Sequence, residues 1–164
     1  MRIVIEIYVF RHGEAEPRDA GVVDADRALT RRGKNDVRAV LKVAKKAITA
    51  PQLILTSPLR RARETAEIAA TVFRGCPVVA SDRLKPSAAA QGIWKEIGED
   101  PKLERVVVVG HEPHLSHLVS FLLEAPISLD VKKGGLIRID CPDRLTSPRG
   151  VLKWVLTPKL ARSL

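Results

Sequence analysis

The chain has 164 residues, with 28 Lys and Arg against 19 Asp and Glu, so its formal net charge is +9; 45% of residues are hydrophobic and 29% charged. That balance describes an ordinary globular chain long enough to bury one core, and it excludes fibrous and disordered classes. Two cysteines, Cys76 and Cys141, are too few for a disulfide framework or a zinc cluster, and the apolar run Val106–Val109 is far too short to span a bilayer.

Residues 2–10 are rich in Ile and Val and predict a strand buried on both faces. Glu6 interrupts that run and Arg11-His12-Gly13-Glu14 ends it, which does not match a secretory leader. Residues 15–29 are polar and carry Pro17, Asp19, Gly21, Asp24 and Asp26, so a loop is expected. Thr30 can cap a helix running to about Ala50, with Val37, Val40, Leu41, Ala44 and Ile48 on one face. Gln52–Thr56 reads as a short strand. Ser57-Pro58 then opens a helix to about Phe73, with Ser57 as its N-cap and Pro58 at the first helical position. Cys76–Ala80 predicts another short strand, and Ala88–Ile97 is weakly helical. Arg105–Val109 is the strongest strand signal. Gly110-His111-Glu112-Pro113 turns out of it into a helix ending near Leu123. Gly134–Asp140 and Val151–Leu156 predict a late hairpin, and a short basic tail follows from Pro158. Alternating strands and helices predict a three-layer α/β/α sandwich around a mostly parallel sheet of about six strands, in a single domain over 1–164.

In an open α/β sheet, ligands bind beyond the carboxyl ends of the strands. Three such ends carry Arg or His: Arg11-His12-Gly13-Glu14, Ser57-Pro58-Leu59-Arg60-Arg61, and Gly110-His111-Glu112. A phosphoryl group in transfer spreads its charge over three equatorial oxygens, so catalysis is mostly placement and charge neutralisation. Arginine offers those oxygens a permanently charged planar fork. A neutral imidazole is a competent nucleophile near pH 7, and a second imidazole can donate to the same oxygens. Gly13 would let the backbone approach the phosphate through an unusual turn, and the helix after Ser57-Pro58 would add a partial positive charge.

Arg11-His12-Gly13 after a first strand resembles the RHG signature of the histidine phosphatase superfamily, the phosphoglycerate mutase-like enzymes. The run Ser57-Pro58-Leu59-Arg60-Arg61-Ala62-Arg63-Glu64-Thr65-Ala66 resembles its SP–x–x–RA–x–x–TA helix, and Gly110-His111-Glu112 its second histidine motif. Asp26-Arg27-Ala28-Leu29-Thr30-Arg31-Arg32-Gly33 is similar to a segment of the short branch typified by SixA, a phosphohistidine phosphatase. The resemblance implies that His12 is the phosphorylated nucleophile and that Arg11, Arg61 and His111 hold the phosphate. Gly13, Glu14, Arg27 and Ser57 are further candidates around it. Arg27 either reaches the phosphate or pairs with Asp24 or Asp26, and Glu14 either joins the site or serves as a local hydrogen-bond residue.

Larger members of the superfamily supply an acid from the segment between the second helix and the fourth strand. Here that segment holds Asp82, Glu96, Glu99 and Asp100, none in a matching context. A phosphohistidine leaves as imidazole and needs less acid help than an alkoxide, so a missing acid favours P–N substrates. The short segment from Ser81 to Lys102 also leaves little chain for a lid and suits an open site, unless residues around Pro86 fold over it.

The expected protein is therefore a cytoplasmic phosphatase for phosphohistidine on a protein. The alternatives are a phosphatase for a small phosphorylated metabolite and, from another class, a non-catalytic basic module for acidic protein or nucleic acid. No cofactor, metal, membrane or nucleic-acid partner is expected. His111, His114 and His117 do not share one helix face, and aromatics are only 4% of the chain.

Overall fold

The structure is a computed structural model describing residues 4–142 and 147–164. Residues 2 and 3 of the predicted first strand lie outside it. Six strands form one sheet: β1 (Ile5–Arg11), β2 (Leu53–Thr56), β3 (Val78–Ala80), β4 (Arg105–Gly110), β5 (Leu136–Cys141) and β6 (Val151–Leu156). Their spatial order is β3-β2-β4-β1-β5-β6, and the first four neighbours run parallel. β5 is antiparallel to β1, and β6 to β5, which is the expected hairpin. The helices are α1 (Arg31–Ala44), α2 (Arg60–Val72), α3 (Gln91–Gly98), α4 (His114–Leu123) and α5 (Pro158–Ser163).

β1 is central and alternates between two cores. Ile5, Ile7 and Val9 pack with α3 and α4 through Ile93, Trp94, Leu115 and Leu122. Tyr8 and Phe10 face α1 and α2 through Val37, Leu41, Ala62 and Ala66. Both faces are thus covered, which makes the predicted three-layer α/β/α sandwich and explains why the strand reads as a continuous apolar run.

Three elements differ from the sequence expectation. α1 ends at Ala44 rather than near Ala50. The tail from Pro158 is a helix: the Thr157 hydroxyl accepts from Leu160 N–H and Pro158 occupies the first turn. Ser57 does not cap α2, which starts at Arg60 behind Leu59 without a side-chain cap; its hydroxyl is used elsewhere, as described below.

The turn after β1 is set by close packing against α1. Thr30 caps α1 by accepting from Gly33 N–H at 2.9 Å, and Thr30 N–H donates to the Glu14 carbonyl at 2.9 Å. A Cβ on Gly33 would lie 2.1 Å from the Glu14 carbonyl oxygen, and one on Gly13 would lie 2.8 Å from the Gly33 carbonyl. Neither clash is with a movable side-chain end. Gly33→Ala should therefore cost about 1–3 kcal/mol, read as a lower urea midpoint. An unchanged midpoint would show that α1 can slide off the turn freely.

Candidate active site

The strand ends that the sequence singles out are neighbours in space. β2, β4 and β1 adjoin, and the chain beyond each is laced to the next: Ser57 N–H donates to the Val109 carbonyl at 2.9 Å, and His12 N–H to the Gly110 carbonyl at 3.1 Å. Gly134, at φ +74°, gives its N–H to the carbonyls of Arg11 and His12, so the turn into β5 closes the other side. A cavity of about 460 Å³ opens there, bordered by Arg11, His12, Arg27, Arg61, His111 and Lys133.

His12 and His111 are both buried, with ring centroids 5.0 Å apart and planes tilted by 54°. Nδ1 of His12 lies 2.7 Å from the Gly13 carbonyl. A carbonyl only accepts, so Nδ1 carries the proton and Nε2 keeps its lone pair. Nε2 of His111 lies 2.7 Å from the Ser57 hydroxyl, which also accepts from Leu59 N–H at 3.3 Å. Ser57 thereby orients an imidazole rather than capping a helix.

The two arginines are anchored differently. Arg11 donates from Nη1 to the Val131 carbonyl at 2.6 Å. Arg61, with its side chain 5% exposed, donates to the Asp24 carbonyl at 2.9 Å and to the Asp24 carboxylate at 3.3 Å. Thr65 ties the base of that helix to the turn: it donates to the Arg61 carbonyl and accepts from Gly13 N–H at 3.2 Å.

Several secondary candidates are placed otherwise than the sequence suggests. Gly13 commits its N–H to Thr65, does not border the cavity and has no left-handed backbone; its missing side chain makes room for α1. Glu14 accepts from the Thr30 hydroxyl at 2.9 Å and also lies outside the cavity. Arg27 pairs with Asp24 at 2.9 Å and borders the cavity. His114 is buried against the backbone of Arg83 and Ala89 rather than at the rim, and His117 faces solvent. Pro86 reaches the cavity wall, so the short 81–102 segment does contribute cover.

Lys133, Asp24, Arg18 and Glu16 also border the cavity, and sequence reading did not assign them there. Each comes from loop geometry; the one local signal was Gly134-Gly135 beside Lys133, which marks a turn.

Burial, reinforced by Arg61, Arg11 and Lys133, lowers His12 to about 4 against the opposing pull of the Gly13 carbonyl. Burial, with His12 and Arg61 adding to it, lowers His111 to about 3. Both rings are neutral at pH 7. In an unfolded chain they would titrate near 6.5, so between pH 6.5 and 4 the folded state binds fewer protons. Stability is then full above pH 6.5 and falls as pH drops, by roughly 3 kcal/mol for a ring with the His12 shift. Ring-proton NMR should find no His12 or His111 titration between pH 8 and 5, and denaturation midpoints should fall over pH 6.5–4. Midpoints for both rings near 6.5 would refute this.

A sandwich of this topology, with paired neutral imidazoles and guanidinium groups around a cavity at the strand ends, defines a phosphatase-type α/β protein. The pattern of the histidine phosphatase superfamily (branch 1) matches residues 7–88, and the chain belongs to that superfamily. An uncharacterized protein of Picosynechococcus sp. is 35% identical over 137 residues, 81% of this chain and 83% of that protein. In fold, the chain is similar to a protein histidine phosphatase SixA solved with tungstate, with a TM-score of 0.82 at 21% identity over 94% of this chain and 98% of the other. It is also similar to a mycobacterial glucosyl-3-phosphoglycerate phosphatase, with a TM-score of 0.70 at 18% identity over 92% and 97% of the two chains. Among the described residues no helix is long and apolar enough to cross a membrane.

Proposed function

We propose that this protein removes the phosphoryl group from phosphohistidine on another protein, through a phosphoenzyme at His12. The His12 Nε2 lone pair attacks phosphorus; a new N–P bond forms as the substrate's P–N bond breaks. The departing imidazole takes a proton from water. Water then attacks the phosphoenzyme, the His12 N–P bond breaks and inorganic phosphate leaves. Arg11 and Arg61 hold the equatorial oxygens, and the Nε2–H of His111 turns from the Ser57 hydroxyl to donate to them. Arg27 and Lys133 add positive charge at the border.

The observation that carries the choice of substrate is the state of the cavity's carboxylates. Asp24 is bonded by Arg27 and Arg61, which outweigh its partial desolvation and hold it below the usual range. Glu16 accepts from Ala28 N–H at 3.0 Å, and Glu112 accepts from Ser116 N–H at 2.9 Å at the start of α4. Each accepts at least one hydrogen bond from the protein itself, and Asp24 alone is held ionised by two arginines. Asp82, Glu96, Glu99 and Asp100 do not border the cavity. A site whose Asp24 is held ionised offers that carboxylate poorly as a proton donor and suits a leaving group that needs little help; imidazole is one. Such a substrate belongs to cytoplasmic signalling or phosphocarrier proteins.

A second reading rests on Pro86. Its place in the wall gives the cavity some of the enclosure a small phosphorylated metabolite would need. Phosphate release from a histidine-phosphorylated protein and from an alkyl phosphate such as glycerol phosphate, both with EDTA present, separates the two. The phosphohistidine reading expects kcat/KM to be at least about 100-fold higher on the protein. The reverse ranking overturns it and favours the metabolite.

A further inference from the structure

A second cavity, of about 480 Å³, lies on the other side of Arg11. Six cations line it: Arg11, Arg32, Lys132, Lys133, Lys159 and Arg162. Three carboxylates face them, Glu14, Asp36 and Asp130, and all three are occupied. Glu14 accepts from Thr30, Asp36 is paired with Arg162 and Arg32, and Asp130 with Lys132. Lys133 and Lys159 have no carboxylate partner among the described residues. Arg11 and Lys133 line both cavities, so the cleft continues directly out of the candidate active site.

The cleft is wet as well as basic. The side chains of Arg32, Lys132 and Arg162 are 74%, 62% and 48% exposed. Charges this exposed grip a small enclosed ligand poorly, because water screens each pair. Several together steer an extended anionic segment and lower its KM. α5 supplies Lys159 and Arg162, and the turn before β5 supplies Lys132 and Lys133. A chain leaving the phosphorylated histidine past Arg11 would therefore run between two cationic walls.

We propose that this cleft docks an acidic segment of the phosphorylated partner protein, with carboxylates lying beside the phosphohistidine. The inference rests on the phosphohistidine reading above and names the partner's chemistry.

The test uses two peptides carrying one phosphohistidine each, one with Asp and Glu along one flank and the other with Asn and Gln in their place. At low salt the wild type should turn over the acidic peptide with a kcat/KM about tenfold higher, expressed in KM, and added salt should close the gap. The double variant Lys132→Glu, Lys159→Glu should abolish the preference while leaving the neutral peptide unchanged. A control with the same charge change on α1's exposed end, Lys45→Glu, Lys46→Glu, should keep it. Equal turnover by the wild type overturns the docking cleft, as does a preference that survives in the double variant. Loss of the preference in the control overturns it too, by showing attraction to net charge alone. A fall on both peptides in the double variant would place the lysines in the fold or the active cavity and overturns it likewise. Turnover of neither peptide by the wild type instead refutes the phosphohistidine reading and the cleft with it.

Discussion

His12→Ala is expected to lower phosphate release by about 10⁴-fold or more, because the proposed phosphoenzyme forms on that ring. Binding should survive the loss: Arg11, Arg61 and His111 stay in place, so the variant should still bind phosphorylated substrate and inorganic phosphate. Rapid acid-free quenching of the wild type should trap phosphate on one histidine, stable in base and lost in acid. The substitution opens little structural cost, since the ring's Nδ1 bond is to the neighbouring Gly13 carbonyl alone. Full phosphate release by His12→Ala would move the nucleophile elsewhere. Residual activity near 1% would point to direct attack by water in a site whose electrostatics do most of the work.

The fold was legible in the sequence wherever periodicity carried it. Val106–Val109 and the first strand are buried on both faces and read as continuous apolar runs; Thr30 and the α1 stripe gave that helix's start and its buried face. The candidate site was legible at the strand ends because arginine and histidine have no packing role there. What escaped was tertiary. Ser57-Pro58 has the chemistry of a helix start, yet His111 competes for the same hydroxyl and the helix begins three residues later. Gly13 reads as a phosphate-loop glycine, but the close approach of Gly33 explains it. Asp24 and Lys133 sit in polar loops and gain meaning only when the 15–29 loop and the turn before β5 bring them against Arg61 and Arg11. The terminal helix was short enough to pass for a tail, although Thr157-Pro158 is a cap signal.

Arg61→Gln should cost about 10³-fold in kcat/KM, since the proposed mechanism then lacks its buried fork for the phosphoryl charge. Its effect on stability should be small or favourable. Arg61 is 5% exposed on its side chain and carries the desolvation of a buried cation, whereas Asp24, its partner, is 52% exposed and can return to water. Removing the arginine therefore leaves no buried charge unpaired. A thermal midpoint equal to or above the wild type's, alongside the lost activity, would mark Arg61 as held at a stability cost for function. A large drop in midpoint would instead make the Arg61–Asp24 pair a structural staple. Asp24→Asn separates the two roles. The Asp24 carboxylate accepts from Arg61 Nη2 and would repel an incoming phosphoryl oxygen. Its neutralisation should tighten inhibition by inorganic phosphate several-fold, while the Asp24 carbonyl still steadies Arg61 Nη1. Weaker inhibition would mean that the carboxylate serves chiefly to orient the arginine, and that anion and Asp24 share the fork rather than compete for it.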